Sequence, residues 1–173
     1  MHMVERKIHN YIRSFAPVVD ECSEALILGT IPGPESLRQH RYYANPNNQF
    51  WCIIYKVFGE DCAAPEYDLK VRFLLEHKIA LWDVFSSADR LGALDSDIRN
   101  PEPNDIPGLI RSHPKIKRIL LAGRTAEKAF RKLFPGISVD AFYVPSASSA
   151  YAGKSVSEKI CDWKNALGAA IDL

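Results

Sequence analysis

Apolar residues along this chain cluster in two different ways. In four places they form a short, nearly uninterrupted run: EALILGT (24–30), KIALWDVFSS (78–87), IKRILLAG (116–123) and ISVDAFYV (137–144). Runs of this kind are typical of strands that are buried on both faces of a parallel sheet. We therefore predict a strand at each of these positions.

Between these runs, apolar residues recur at the spacing of a helix. Segment 48–60 is the clearest case, because Phe50, Ile53, Ile54 and Val57 share one helical face. The same spacing predicts further helices at about 4–15, 68–77, 106–114, 124–134 and 157–171.

Strands that alternate with helices indicate a parallel sheet covered on both faces. We predict an α/β fold: a single-domain three-layer α/β/α sandwich with a central, mostly parallel four-stranded sheet. It would span residues 1–173, with the N-terminal helix packed on it. Ligands of such sheets bind beyond the carboxyl ends of the strands. That rule selects the loops at 29–47, 83–105, 123–125 and 144–153. Segment 88–105 is polar and Pro-rich, and we predict that it is a long loop.

Charge and cysteine content narrow the class of protein. The 22 basic and 21 acidic residues leave a formal net charge of +1, which disfavours binding to nucleic acid through bulk charge alone. The four cysteines are scattered without ligand spacing, so we expect no metal site and no cofactor. No apolar run reaches the roughly 18 residues that span a bilayer. We expect a cytoplasmic protein, associated with the nucleoid if it is prokaryotic.

Two of the selected loops carry groups that could hold a phosphate. The run GTIPGPES lacks the spacing of known phosphate motifs, so it fits a structural turn as well as a phosphate cradle. The run VPSASSAYA is rich in hydroxyls, which bind phosphate in DNA complexes, yet it could simply precede a capped helix. Both interpretations stay open from the residues alone.

The stretch RYYANPNNQFW (41–51) combines aromatic rings with uncharged amides. Phe50 and Trp51 begin an apolar helix and are expected to pack in the core, whereas Tyr42 and Tyr43 precede it, where stacking on a flat ligand is credible. Asn48 is placed to cap the helix. Asp83 ends an apolar strand at the ligand edge, and a buried carboxylate there needs a partner or a function.

Taken together, ILGTIPGPESL, YYANPNNQFW, LWDVFSSADRLGALDSDI and VPSASSAYA resemble the uracil-DNA glycosylase superfamily. The match is best with its hypoxanthine-DNA (deoxyinosine) glycosylase branch and runs in the family's order from about residue 25 to residue 152. The resemblance implies an enzyme that flips a deaminated base out of DNA and hydrolyses its N-glycosidic bond. DNA is the implied partner, double-stranded with single strands as an alternative, for a protein expected to be monomeric.

The resemblance also implies roles for particular residues. Asn48 matches the asparagine implicated in catalysis, Tyr43 is the expected platform for the base, and Asp83 lies where related enzymes recognise the base edge. Ile31 and Ser86 are further base-binding candidates. The expected contacts to DNA phosphate and backbone are Gly29, Thr30, Pro32, Gly33, Pro145, Ser146 and Ser148.

Contacts outside the base pocket are also predicted. Tyr151 is the candidate wedge that fills the vacated stack, although a tyrosine here could equally be a core or surface residue. Basic residues near the ligand edge could form a local DNA-facing patch, and we expect about a third of them to contact phosphate: Arg38, Arg41, Arg90, Arg99, Arg124 and Lys154.

The sequence departs from the uracil-specific branches of the family at two positions. Ile31 replaces their usual Asp or Asn in the first motif, and Val144 replaces the His or Asn that often starts the second. Both changes favour hypoxanthine over uracil. No lysine stands in a matched motif, which predicts a monofunctional enzyme. The alternatives are a uracil-DNA glycosylase of broad deaminated-base range and a non-catalytic DNA- or nucleotide-binding module on the same fold.

Overall fold

The computed structural model describes residues 10–168 as two sheets and six helices. The strands are β1 (Tyr11–Arg13), β2 (Ala25–Gly29), β3 (Ile79–Asp83), β4 (Phe85–Arg90), β5 (Ile98–Pro103), β6 (Arg118–Ala122) and β7 (Asp140–Val144). The helices are α1 (Pro34–Gln39), α2 (Phe50–Val57), α3 (Tyr67–Glu76), α4 (Ile106–Ser112), α5 (Arg124–Leu133) and α6 (Val156–Leu167).

The four strands of the main sheet lie in the order β3-β2-β6-β7, and all neighbours are parallel. The predicted α/β fold with a central parallel sheet is thus confirmed. Because the strands are parallel, their carboxyl ends meet at one edge. In that edge Gly29 of β2 is paired in register with Asp83 of β3, which brings the loops that follow both strands together.

Alternating side chains of β2 supply the cores on the two faces of this sheet. Ala25 and Ile27 belong to the core that α2, α3 and α6 cover, whereas Leu26 and Leu28 belong to the core beneath α4 and α5. All these side chains are fully buried. A strand that is apolar at every position is therefore explained by helices on both faces.

A second, three-stranded antiparallel sheet, β1-β4-β5, was not predicted. Residues 85–90 leave the main sheet after Val84 and form a hairpin with 98–103, so half of the predicted long loop at 88–105 is strand. The misleading signal was proline. Pro101 and Pro103 lie on β5, an edge strand, where a missing N–H is tolerated.

The predicted N-terminal helix is also wrong for the part of it that the structure describes. Tyr11–Arg13 form β1, which pairs with residues 87–89 of β4. Pairing with a neighbouring strand overrides the weak helical spacing of this segment. The rest of the predicted helix, residues 4–9, lies outside the described residues.

Two helix ends show how local chemistry sets the boundaries. Helix α1 escaped notice because six residues, starting at Pro34, are too few to show a period. Helix α6 begins after Ser155, whose Oγ accepts a hydrogen bond from the Glu158 N–H at 3.2 Å while the Glu158 carboxylate accepts one from the Ser155 N–H at 2.7 Å. Within residues 10–168, no helix is long and apolar enough to cross a membrane.

Candidate active site

A cavity of about 470 Å³ opens at the carboxyl edge of the parallel sheet. This volume lies within the usual range for a small-molecule pocket. All the loops selected from the sequence contribute to its wall. The predicted site residues that line it are Gly29, Thr30, Ile31, Pro32, Gly33, Tyr43, Asn48, Asp83, Ser146, Ser148 and Tyr151.

Asp83 and Gly29 form the floor of this cavity. The Asp83 side chain is buried, and its Oδ2 has no hydrogen-bond partner within residues 10–168. Its Oδ1 lies 2.7 Å from the point where a β-carbon on Gly29 would stand, and the Tyr43 hydroxyl lies 3.0 Å from the same point. Only a glycine at this position leaves room for both groups.

Burial raises the pKa of Asp83 to about 8, and the nearby Asp95 carboxylate adds to the rise. Asp95 is held beside the floor because its Oδ2 accepts a hydrogen bond from the Thr30 hydroxyl at 3.1 Å. At neutral pH the Asp83 carboxyl is therefore mostly protonated. In that form it offers the cavity one O–H donor and one carbonyl acceptor side by side.

Tyr42 and Tyr43 of segment 41–51 both border the cavity but make different contacts. Tyr43 lines the cavity with its backbone in the left-handed region (φ 53°), and its ring stacks on Phe50 with centroids 3.9 Å apart. Burial raises the pKa of Tyr43 above its usual range, so the ring stays neutral. Tyr42 is instead a buried anchor whose hydroxyl donates to the Ala16 carbonyl at 3.0 Å.

Asn48 lies at the start of α2 and presents its amide to the cavity. Its Oδ1 accepts a hydrogen bond from the Phe50 N–H at 2.9 Å, two residues along the chain. The predicted capping role is wrong, because Gln49 occupies the N-cap position of α2 and no side chain caps this helix. In the described part of the chain its Nδ2 has no hydrogen-bond partner. The side chain is thus oriented by the backbone with an N–H₂ donor available to a ligand.

The hydroxyl-rich loop after β7 is shaped by its own serines. Ser146 Oγ accepts from the Ser148 N–H, and Ser148 Oγ accepts from the Ala150 N–H, both at 3.2 Å. Each hydroxyl keeps its O–H as a donor for an anion. Gly123, with φ 98°, allows the close approach of Ser146, whose Cβ lies 3.3 Å from where a β-carbon would stand.

A buried lysine of α6 connects this loop with the loop of Asn48. Lys159 is fully buried, and its Nζ donates to Gln49 Oε1 at 2.8 Å, to the Tyr151 carbonyl at 3.1 Å and to the Ser148 carbonyl at 3.4 Å. The Gln49 N–H also donates to the Ala147 carbonyl at 2.8 Å. The amide and the hydroxyls are therefore held in a fixed relation.

Comparison with known proteins assigns a family to this arrangement. A family model described as the uracil DNA glycosylase superfamily matches residues 16–169, which is nearly the whole chain. The chain belongs to the uracil DNA glycosylase superfamily. The family resemblance drawn from the sequence motifs is thus confirmed.

Two curated relatives and one solved structure are similar to this superfamily member. A protein named hypoxanthine DNA glycosylase from Methanosarcina acetivorans is 39% identical over 138 residues, covering 80% of this chain and 87% of the relative. One of the same name from Methanosarcina barkeri is 39% identical over 112 residues, covering 65% and 71%. A solution NMR structure of a candidate uracil DNA glycosylase from M. acetivorans superposes with a TM-score of 0.77 at 36% identity, covering 90% of this chain and 98% of that one.

Two of the predicted site residues do not line the cavity of this glycosylase-family chain. Ser86 lies on β4, where its hydroxyl donates to the Glu102 carbonyl at 3.2 Å in the antiparallel sheet. Pro145 is buried beside the cavity, and its carbonyl accepts from the Trp163 indole N–H at 3.0 Å. Ser86 thus lies outside the cavity lining, while Pro145 anchors the hydroxyl-rich loop after β7.

Of the six basic residues predicted to form a DNA-facing patch, two line the cavity and four do not. Arg124 lies on the cavity rim with its guanidinium 3.6 Å above the Tyr143 ring, and it is suited to contact a phosphate. Arg90 is buried in the cavity wall, so it is not part of an outer surface. The other four basic residues lie outside the cavity lining: Arg38, Arg41, Arg99 and Lys154.

The sequence interpretation missed Lys159, Gln49 and Asp95. Lys159 had a detectable signal, because it shares the buried face of α6 with Trp163 and Leu167 at four-residue spacing. Asp95 lies within the quoted motif LWDVFSSADRLGALDSDI, but its segment was predicted as loop and no role was assigned to it. Among the side chains of residues 10–168, no group of His, Cys, Asp and Glu is arranged to hold a metal ion.

The floor of the cavity predicts that Gly29→Ala destabilises the fold. A β-carbon would force the Asp83 carboxyl and the Tyr43 hydroxyl to move, and overpacking of this kind costs about 1–3 kcal/mol. Thermal unfolding should show a clearly lower Tm. Gly136→Ala is the matched control, because no heavy atom lies within 4 Å of the point where its β-carbon would stand. Equal Tm values for the two variants would contradict the described floor.

Proposed function

We propose that this protein is a DNA glycosylase that hydrolyses the N-glycosidic bond of deoxyinosine and releases hypoxanthine. The observation that carries this proposal is the buried Asp83 carboxyl at the cavity floor, whose Oδ2 has no hydrogen-bond partner within residues 10–168. Hypoxanthine presents N1–H and O6 side by side, and a protonated carboxyl accepts from the first while donating to the second. The two relatives named hypoxanthine DNA glycosylase support the same substrate.

Tyr43 provides the surface on which the flipped base stacks. One ring face is already packed on Phe50, so the ring is rigid when the base arrives on the other. Stacking of a base on an aromatic side chain contributes about 1–3 kcal/mol, which offsets part of the cost of leaving the duplex. A left-handed tyrosine backbone is an unfavourable conformation, and its presence at the cavity agrees with such a role.

Bond cleavage leaves positive charge on the sugar and negative charge on the departing base. The Asp83 O–H donates to O6, where part of that negative charge develops. Asn48 has no useful basicity, so its part is to stabilise the departing purine through Nδ2 or to position the attacking water. Ser146 and Ser148 would hold the DNA phosphate with their hydroxyls and thereby fix the sugar over Asn48.

The reaction is proposed to be hydrolytic, without a covalent enzyme–sugar intermediate. Lys159 is the only lysine whose ammonium contacts the described site loops, and it is buried with three oxygen acceptors. An ammonium held in this way is a poor nucleophile. We further propose that a single domain acts as a monomer on double-stranded DNA in the cytoplasm.

A broader range of deaminated bases is the second candidate function. The same Asp83 contact favours it, because uracil presents N3–H and O4 in the arrangement of N1–H and O6. Ile31 opposes efficient uracil excision, since this buried apolar side chain lies in the cavity wall where uracil-specific branches carry an amide or a carboxylate.

An excision assay on two duplexes tests the proposed substrate. One carries a single deoxyinosine and the other a single deoxyuridine, and strand breaks are measured with and without alkali. We expect cleavage at deoxyinosine that appears only after alkali, with much less at deoxyuridine. Dominant cleavage at deoxyuridine would establish the second candidate, and breaks without alkali would contradict the hydrolytic mechanism.

Asn48→Ala is expected to lower the single-turnover rate about 10²–10³-fold, the usual effect of removing one donor that stabilises developing charge. Binding to a duplex with a slowly cleaved 2′-fluoro-deoxyinosine should change little. The control is Asn47→Ala, because Asn47 is exposed and lies outside the cavity lining. If both variants cleave at the wild-type rate, Asn48 has no catalytic role.

The raised pKa of Asp83 predicts a pH dependence of excision. The wild-type rate should fall as pH rises through about 8, because the ionised carboxylate can no longer donate to O6. Asp83→Asn should keep its rate over this range, since the asparagine amide presents the same donor and acceptor without titrating. This variant also controls for ionisation of the base itself. An inactive Asn variant that folds normally would show that the carboxylate form performs the reaction.

A further inference from the structure

The hairpin of β4 and β5 ends in an apolar tip at the rim of the cavity. The tip comprises residues 91–94, and Leu94 lines the cavity. The two leucines at its ends, Leu91 and Leu94, are 60% and 57% exposed. Two large apolar side chains held in water beside a binding cavity are unfavourable unless a partner covers them.

Polar contacts behind the tip keep the leucines exposed. Asp97 Oδ2 accepts a hydrogen bond from the Leu94 N–H at 3.2 Å. The same oxygen stands 2.2 Å from the point where a β-carbon on Gly92 would lie, so the turn closes tightly around this carboxylate. The Thr30–Asp95 hydrogen bond then fastens the tip to the loop after β2.

The charge of the tip indicates which part of DNA it meets. Residues 91–98 contain two aspartates and no lysine or arginine, so this segment would be repelled by the phosphate backbone. Its apolar side chains suit the interior of a base stack, where apolar wedges separate and unstack neighbouring bases. The position beside the cavity is where the stack is interrupted when a nucleotide enters.

Tyr151, the wedge candidate from the sequence, is less free to enter a stack. Its carbonyl accepts from Lys159, and its ring lies 5.2 Å from the Lys159 ammonium. Its hydroxyl lies 3.0 Å from the point where a β-carbon on Gly153 would stand. The ring is therefore packed along its own loop.

We propose that the tip, with Leu94 nearest the cavity and Leu91 beside it, inserts into duplex DNA and fills the gap left by the flipped nucleotide. The inference rests on the proposed function, because a gap exists only if a nucleotide is flipped. It assigns to this hairpin the task of stabilising the open duplex while the base is in the cavity.

Kinetics with the Leu91→Ala/Leu94→Ala double variant test the wedge. On a fully paired duplex containing deoxyinosine, we expect the single-turnover rate to fall about tenfold or more, because the open state loses its apolar filling. On deoxyinosine within an unpaired internal loop the rate should stay near wild type, since no stack has to be opened. Leu133→Ala is the matched control, because Leu133 is an exposed leucine on α5 outside the cavity lining.

An apolar side chain of similar volume and a charged one at Leu94 distinguish an apolar wedge from a phosphate contact. Leu94→Met should retain the paired-duplex rate, whereas Leu94→Lys should lose it. Equal losses on paired and unpaired substrates would place the leucines in the chemistry of the cavity and overturn the proposal. A wild-type rate for the double variant on the paired duplex would also overturn it.

A binding measurement separates this inference from the proposed substrate. The probe is a duplex with a tetrahydrofuran abasic-site analogue next to 2-aminopurine, whose fluorescence reports its stacking. Wild type and Leu133→Ala should change this fluorescence on binding, and the double variant should bind without the change. If wild type releases no deaminated base but still produces the change, the proposed function fails and the wedge stands. If binding of wild type leaves the fluorescence unaltered, the wedge fails whatever the base specificity.

Discussion

The site depends on one buried ammonium group. Lys159 is fully buried, and within residues 10–168 its Nζ donates to Gln49 and to two carbonyls of the hydroxyl-rich loop after β7. Burying a charge is unfavourable unless it is fully hydrogen-bonded, so displacement of either loop would remove some of the ammonium's acceptors and destabilise the fold. The residue that follows Asn48 and the loop that carries Ser146 and Ser148 are therefore coupled through a group that lies outside the cavity lining.

Asp83 is the opposite case, a buried carboxyl whose Oδ2 has no hydrogen-bond partner among residues 10–168. Below the ordinary pKa of an aspartate, both the folded and the unfolded chain hold the proton, and burial of the neutral acid costs little. As pH rises toward about 8, the unfolded chain releases the proton while the folded chain keeps it, so the free energy of unfolding falls across this window. The protein therefore loses stability at a position where a ligand with an N–H and a C=O side by side would form hydrogen bonds with both Asp83 oxygens. This loss is consistent with selection for binding rather than for stability.

Local patterns in the sequence were sufficient to predict the parallel sheet and most of the helices that cover it. Apolar runs identify strands such as β2 because helices cover both faces, and the strand-end rule then brings Asp83 next to Gly29. The antiparallel hairpin was missed because Pro101 and Pro103 mark an edge strand only after its neighbour is known. The motifs placed Tyr43 and Asn48 at the site.

The protonation, orientation and burial of the side chains at the site could not be predicted from the sequence. The proton on Asp83 depends on burial and on Asp95, a residue 12 positions away in a segment predicted as loop. The orientation of the Asn48 amide depends on a single contact with the Phe50 N–H. The burial of Lys159 follows from the packing of α6, although its spacing with Trp163 was a usable signal. These properties arise from tertiary contacts, and local residue patterns do not determine them.

Under the proposed function, the floor and the rim of the cavity would both contribute to distinguishing hypoxanthine from normal bases. A protonated carboxyl complements hypoxanthine, but it also complements adenine, which presents N1 as an acceptor and an amino group as a donor. Asp83 alone therefore does not reject the normal base. Rejection has to occur earlier, when the pair opens, because a mismatched or damaged pair costs less to unstack and unpair than a normal one. A wedge of limited strength favours this discrimination, since it would hold open a weak pair but not a strong one. Under the proposed function, a wedge of only two leucines would then help both to open the duplex and to exclude normal base pairs.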